Sequence, residues 1–264
     1  MQQLLTTKNQ KLQKSDKYNY VTFGLHLAPA SLSGFNTCPQ STPLCRTYCL
    51  NTSGHGAYRN VQEARIKKTR YLFEHRAAFI EQLKAEITLT SIKAKSNGFT
   101  PCYRLNVVSD IAWEIEQFGC IPQSFPHLMF YDYTKIAKRV STPYRPNIPV
   151  NYHLTYSANE FNTPEDIKSL VANNVNVAVV FKQLPESYLE IPCISGDVSD
   201  LRFLDKKGVI VGLVPKGRAR KAPASGFIQG GNNHLLNPQQ PPLAILATQV
   251  APQVAPTTET KIDD

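Results

Sequence analysis

The feature that most constrains this chain is the order of its segments. Short β-rich runs alternate with helix-like stretches along most of its length. Val21 to Leu27 reads as a first strand. The stretches Asn60 to Glu74 and Arg76 to Ala94 then lack proline and glycine, and Leu72, Phe79, Ile80, Leu83 and Ile87 recur there at helical spacing. Tyr103 to Val108 follows as a strand, Ala112 to Phe118 as a short helix and Leu128 to Tyr133 as a strand. Further strands are expected at Tyr152 to Tyr156, Val175 to Phe181, Ile191 to Ile194 and Val209 to Leu213. Thr163-Pro164-Glu165-Asp166 has the chemistry of a helix start, with a capping hydroxyl, a proline whose missing N–H costs nothing there, and acids in the first turn. It predicts a helix through Ile167 to Asn173.

Strands separated by helices argue for βα units and a mostly parallel sheet. The fold expected is α/β: a single barrel-like (β/α) domain, closed or partly open, with a doubly wound open sheet as the runner-up. No GxGxxG follows the first strand and no GxxxxGK[ST] occurs, so dinucleotide and P-loop readings lack their usual support. The expected division is a flexible N-terminal segment over residues 1–16, the α/β domain over 17–236 and a tail over 237–264. The tail holds five prolines, which deny the backbone the donors and angles of regular structure, and Leu243 to Ala247 is its one candidate for docking on the body.

With 264 residues and 42% hydrophobic content, a substantial core is within reach. No apolar run is long enough to span a membrane, and Met1 to Lys17 is polar with no apolar signal core behind it. A soluble, cytoplasmic protein is expected. Six cysteines in such a compartment point to metal binding or burial rather than disulfides. Formal net charge is +9, and the acidic end of the tail leaves +11 on the body. Basic residues gather at Arg65, Lys67, Lys68, Arg70 and again at Lys216, Arg218, Arg220, Lys221. Such clusters are either solvated faces or places to meet a nucleic acid, a nucleotide-like ligand or another small anion.

The strongest chemical signal is Cys38, Cys45 and Cys49, three thiols within twelve residues on a loop that also holds Gly34, Pro39, Pro43 and Gly54. Three soft donors suit a thiophilic metal. Zinc sites usually pair their ligands as CxxC, and neither gap has that spacing. Iron-sulfur ligation tolerates more variety, so a cluster, 4Fe–4S by preference, is the first expectation, ahead of zinc and of buried or redox thiols. Cys193 and His55 are candidate fourth ligands, whereas Cys102 and Cys120 are expected at the far end of the strands. The alternative is one iron without a protein ligand, open to act as a Lewis acid.

In a barrel, all parallel strands finish at one rim, where such folds build their sites. Asn106, Asp110, Asp132, Lys135, Lys182 and Asp197 fall at strand ends and are the candidate catalytic residues. Ser157, Lys216 and Arg218 are the candidate binding residues for a cofactor or anionic substrate. Ser109, Thr134, Asn159 and Glu160 belong to the same strand ends.

Asn36-Thr37-Cys38-Pro39 with Cys45 and Cys49, Arg104-Leu105-Asn106 with Ser109-Asp110, and Phe130 to Lys135 together resemble the phage-encoded gene product eighty-eight family. That resemblance runs from about Val21 to Phe227 and takes in Gly196-Asp197 and Asp200 to Phe203. It implies a phage origin and no particular reaction. A three-cysteine loop after the first strand of an α/β barrel also looks like the radical S-adenosylmethionine enzymes, which implies S-adenosylmethionine as a cofactor. The sequence departs from their CxxxCxxC spacing, and no Gly-Gly-Glu follows the second strand. Two functions are therefore expected in competition. One is an enzyme with an open iron at the barrel mouth. The other is a non-catalytic phage protein whose cluster or zinc staples the loop while basic faces meet nucleic acid.

Overall fold

A computed structural model describes residues 3–8 and 12–230. The expected tail, with Leu243 to Ala247, lies outside the described residues. The chain begins with β1 (Leu5–Thr6), a 3-10 turn at Leu12–Tyr18 and β2 (Tyr20–Leu25). After the cysteine loop, which carries the short α1 (Pro43–Thr47), come α2 (Arg59–Glu74), α3 (Arg76–Ser96) and β3 (Thr100–Arg104). Next are α4 (Ile121–Ser124), β4 (Met129–Thr134), α5 (Ala137–Val140), β5 (Tyr152–Ser157), α6 (Pro164–Ala172) and β6 (Val177–Phe181). The hairpin β7 (Ser187–Tyr188) and β8 (Ile191–Ser195), then β9 (Ile210–Leu213) and β10 (Ile228–Gln229), complete the described fold.

These strands form one ten-stranded open sheet in the order β1-β2-β3-β4-β5-β6-β9-β8-β7, with β10 parallel to β6. Pairings from β2 through β6 to β9 and β8 are parallel, and only the outermost pairs, β1 with β2 and β7 with β8, are antiparallel. From β2 to β6 the sheet grows strand by strand in sequence order. A doubly wound sheet would reverse that order midway, so the runner-up architecture is set aside. Among the described residues no closed barrel is formed, because β1 and β7 end the sheet without pairing to each other.

Local chemistry explains the elements. In α6 the Thr163 hydroxyl accepts from the Asp166 amide at 3.1 Å and the Asp166 carboxylate accepts from the Thr163 amide at 2.9 Å, a reciprocal capping box with Pro164 at the first helical position. Leu72, Phe79, Leu83 and Ile87 turn one stripe of α2 and α3 into the core beside Tyr103, Trp113 and Phe130. The strand β6, Val-Ala-Val-Val-Phe, is largely buried on both faces, as an inner strand of a parallel sheet must be.

Three expectations need correction. Residues 3–8 are not a loose lead-in: Leu4 and Leu5 are buried, their amides donate to the Glu86 carboxylate at 2.8 to 3.0 Å, and β1 pairs with β2. Polar composition hid two leucines with a docking place. The helix expected over Ala112 to Phe118 is reduced to a 3-10 turn at Glu116–Phe118. Asn106 Oδ1 instead takes the Ile111 amide at 2.9 Å and the Trp113 indole N–H at 3.3 Å, and Glu114 is drawn inward to Arg139. The second strand ends at Arg104 rather than Val108, because the turn built on Asn106 starts there.

Candidate functional site

The cysteine loop leaves β2 and is fixed at several points. The Thr37 hydroxyl donates to the Ala28 carbonyl at 2.7 Å, and the Thr37 carbonyl accepts from the Asp110 amide at 2.8 Å. Thr42 caps α1, accepting from the Cys45 amide at 3.2 Å, while its own hydroxyl donates to Glu160 at 2.6 Å. Behind the loop, α2 supplies Thr69, which accepts from the Ala28 amide at 2.8 Å, and Arg65, which is buried and donates to Asn51. Gly217 closes the other side. Its φ is +54°, and a Cβ there would meet the Ser53 Oγ at 2.0 Å, so only glycine lets the basic turn pack this tightly against the loop.

Cys38, Cys45 and Cys49 all line one cavity of about 780 Å³. Its opposite walls are the C-terminal ends of the parallel strands: Arg104 at the end of β3 and Asn106 just after it, Lys135 after β4, Ser157 from β5 and Lys216 after β9. This is where parallel α/β sheets place their ligands. Burial pushes the Cys38 thiol up to about 11 and raises Cys45 and Cys49 as well. Without a bound cation the three are thiols at neutral pH, and ligation would release their protons.

Lys135 is the cation nearest in role to the thiols. Its Nζ donates to Ser157 Oγ at 2.7 Å and to the Ser157 and Ala158 carbonyls at 3.2 and 3.4 Å, and its amide donates to Asp110 Oδ2 at 2.7 Å. Burial lowers its pKa, an effect opposed by Cys45, Asp110, Glu160 and Cys38 around it. Asp110 sits between Lys135 and Arg139, whose guanidinium is 3.0 Å away; burial raises its carboxyl while Arg139 pulls it back. Asn106 is locked by donating to Ile111 O at 2.8 Å and accepting from Ser109 Oγ at 2.9 Å.

The cavity thus brings together Asn106, Asp110, Lys135, Ser157 and Lys216 with the three cysteines. Asp132, Lys182, Asp197 and Arg218 are not among its lining. Asp132 is fully buried beneath it, accepting from the Asn106 amide and the Tyr152 hydroxyl at 2.8 Å each, and burial pushes its carboxyl up to about 7. Lys182 holds the Ala222 carbonyl, and Asp197 pairs with Lys216 and accepts from the Val214 amide at 2.9 Å, so both brace the rim. Arg218 is exposed. The first basic cluster is largely spent on structure: besides Arg65, Lys68 donates to the Leu4 carbonyl at 2.8 Å and Arg70 to the Ser33 carbonyl at 3.2 Å.

Neither proposed fourth ligand lines the cavity. Cys193 packs among β-strand hydrophobics and His55 stacks on Tyr58. Cys102 is buried in β3, 3.1 Å from Thr22 Oγ1, and Cys120 precedes α4. Among the described residues, no group of three or more His, Cys, Asp or Glu side chains is placed to hold a metal ion. Sequence reasoning passed over Arg104 as a site residue although, like Lys135 and Ser157, it stands at a strand end. It also passed over Glu160 as the anchor of the loop.

Residues 3–230 match the Gene product 88 family. The chain belongs to this phage family. The family's match spans the whole body of the fold, from β1 through β10, so the cysteine loop and every cavity residue named above lie within it. No curated protein and no solved structure matches the chain. Among the described residues, no helix is long and apolar enough to cross a membrane.

Proposed function

We propose that this member of the Gene product 88 family is an iron-sulfur enzyme, with Cys38, Cys45 and Cys49 holding a cluster at the mouth of a partial (β/α) barrel. The observation that carries the reading is the shared cavity: three thiols face the same space as Asn106, Asp110 and Lys135. Zinc sites usually pair their ligands as CxxC, a spacing that neither gap between the three cysteines has, whereas cluster ligation tolerates more variety.

When bound, such a cluster supplies a redox centre and, at an iron without a protein ligand, a Lewis acid. The chain's own residues do the rest. Lys135 offsets the charge of the thiolates and positions Asp110 through its backbone amide. Asp110, with its carboxyl raised by burial and held by Arg139, is placed as the acid-base group of the cavity. Asn106, rigidly bonded, presents a fixed polar surface. The cavity's volume of about 780 Å³ also admits a nucleoside-sized co-ligand such as S-adenosylmethionine.

Electron paramagnetic resonance of the reduced, cluster-loaded protein tests the open iron. A spectrum that shifts on adding cyanide or S-adenosylmethionine supports it; a spectrum indifferent to both contradicts it. The second reading, a structural cluster in a nucleic-acid-binding protein, is favoured by the exposed turn bearing Arg218, Arg220 and Lys221. Steeply salt-dependent DNA binding with no ligand-induced spectral change would select it.

A further inference from the structure

Arg104 is the last residue of β3 and lines the cavity, yet it is only 4% exposed. Its Nη1 donates to Asp200 Oδ2 at 2.6 Å, and its guanidinium carbon lies 4.9 Å from the centre of the Tyr133 ring. The guanidinium has five N–H donors. Its Nε is buried with no hydrogen-bond partner, and Asp200 is its one hydrogen-bond acceptor among the described residues. Burying a guanidinium with donors unspent is unfavourable, and that cost is offset when an oxyanion takes the free donors.

The other cations of the cavity are committed elsewhere. Lys135 is spent on Ser157 and Ala158, Lys216 pairs with Asp197, and Arg46 donates to the Ser41 carbonyl. Among the described residues, Asp110 is the sole carboxylate in the lining, and it is paired to Arg139. A fork of donors held between an aromatic ring and a buried carboxylate is the arrangement that recognises planar or tetrahedral oxyanions. Beside it stand apolar walls, Val107, Val180, Leu213 and Phe227.

We propose that Arg104 anchors a small-molecule ligand bearing a carboxylate or phosphoryl group, whose apolar body lies against Val107, Val180, Leu213 and Phe227. As the substrate of an iron-sulfur enzyme, this ligand rests on the reading above. As an anion site, it is tested with or without a cluster.

Calorimetric titration of the full chain, as purified and after anaerobic reconstitution, with hexanoate, hexyl phosphate and hexan-1-ol tests the assignment. At least one of the two anions binds in both preparations, and the alcohol binds about tenfold more weakly or worse. The tighter anion identifies the head group. Arg104→Lys keeps a cation beside Asp200 but loses the fork, so it weakens the anion by about tenfold while iron and sulfide content stays unchanged. That pattern separates this site from the fate of the cluster. Equal binding of all three probes, binding of none, or undiminished binding by Arg104→Lys overturns the proposal. If Arg104→Lys does not fold, the Arg104 Nε–H resonance of the wild-type protein decides: a shift on adding the anion supports the site, and an unmoved signal overturns it.

Discussion

The hydroxyl of Thr42 donates to the carboxylate of Glu160 at 2.6 Å, joining the cysteine loop to the end of β5 across 118 residues of sequence. The same carboxylate accepts from the Leu44 amide at 2.9 Å, so Glu160 caps the turn that carries Cys45. Hydrogen bonds to a charged partner are worth about 1.5–3 kcal/mol each, and their loss frees the loop before it unfolds the body. Glu160→Ala is expected to lower stability by about 2 kcal/mol and to speed loss of iron from reconstituted protein. Urea unfolding and the rate of iron transfer to a chelator measure the two effects. An unchanged rate of iron loss would show that the loop does not depend on Glu160.

Arg139 joins the cavity to the buried layer beneath it. Its guanidinium takes both oxygens of Glu114, at 2.8 and 2.7 Å, and Asp110 at 3.0 Å, with all three side chains buried. Arg139→Met would leave two carboxylates without their cation, at a cost of about 3–5 kcal/mol. Asp110 would also lose the largest influence opposing its burial, and its carboxyl would rise further. A fall in urea stability of less than about 1 kcal/mol would refute the pairing's structural weight.

His26 sets a pH dependence whose sign follows from its surroundings. Burial, then the charges of Arg65, Lys68 and Arg104, lowers its pKa from 6.5 to about 3. Between those values the unfolded chain binds a proton that the folded chain does not. Stability is therefore unaffected above about pH 6.5 and is lost as pH falls from there toward about 3. From about pH 7 to about pH 5, wild type should lose about 2 kcal/mol more than His26→Gln. Equal losses in the two proteins would contradict a neutral, buried His26.

The long elements were legible because local pattern and tertiary demand agree in them. Helices α2 and α3 carry a helical stripe without proline or glycine, and α6 announces itself by Thr163 and Asp166. The strands β4, β5, β6 and β9 lie within a residue or two of their expected bounds. Where a single side chain reorganises the backbone, pattern failed: Asn106 ends β3 early and replaces the expected helix over Ala112 to Phe118 with an irregular turn. The site shows the same division. Position at a strand end identifies the rim, and Asn106, Asp110, Lys135, Ser157 and Lys216 were found in that way. It does not say which side chain turns into the cavity, so Asp132 proves buried below while Lys182 and Asp197 brace the rim from outside. Arg104 was missed because nothing local marks an arginine whose acceptor, Asp200, lies 96 residues away.

The most direct test of the account is the iron and acid-labile sulfide content of protein purified and reconstituted without oxygen, for wild type and for single serine variants of the cysteines. A cluster ligand must be a thiolate, so serine at Cys38, Cys45 or Cys49 should destroy or destabilise the cluster, while serine at Cys102 or Cys120 leaves it in place. Wild-type protein should be brown and contain iron and sulfide, with loss confined to variants of the three cavity cysteines. Colourless wild-type protein that binds stoichiometric zinc, or iron content indifferent to all three substitutions, would contradict it.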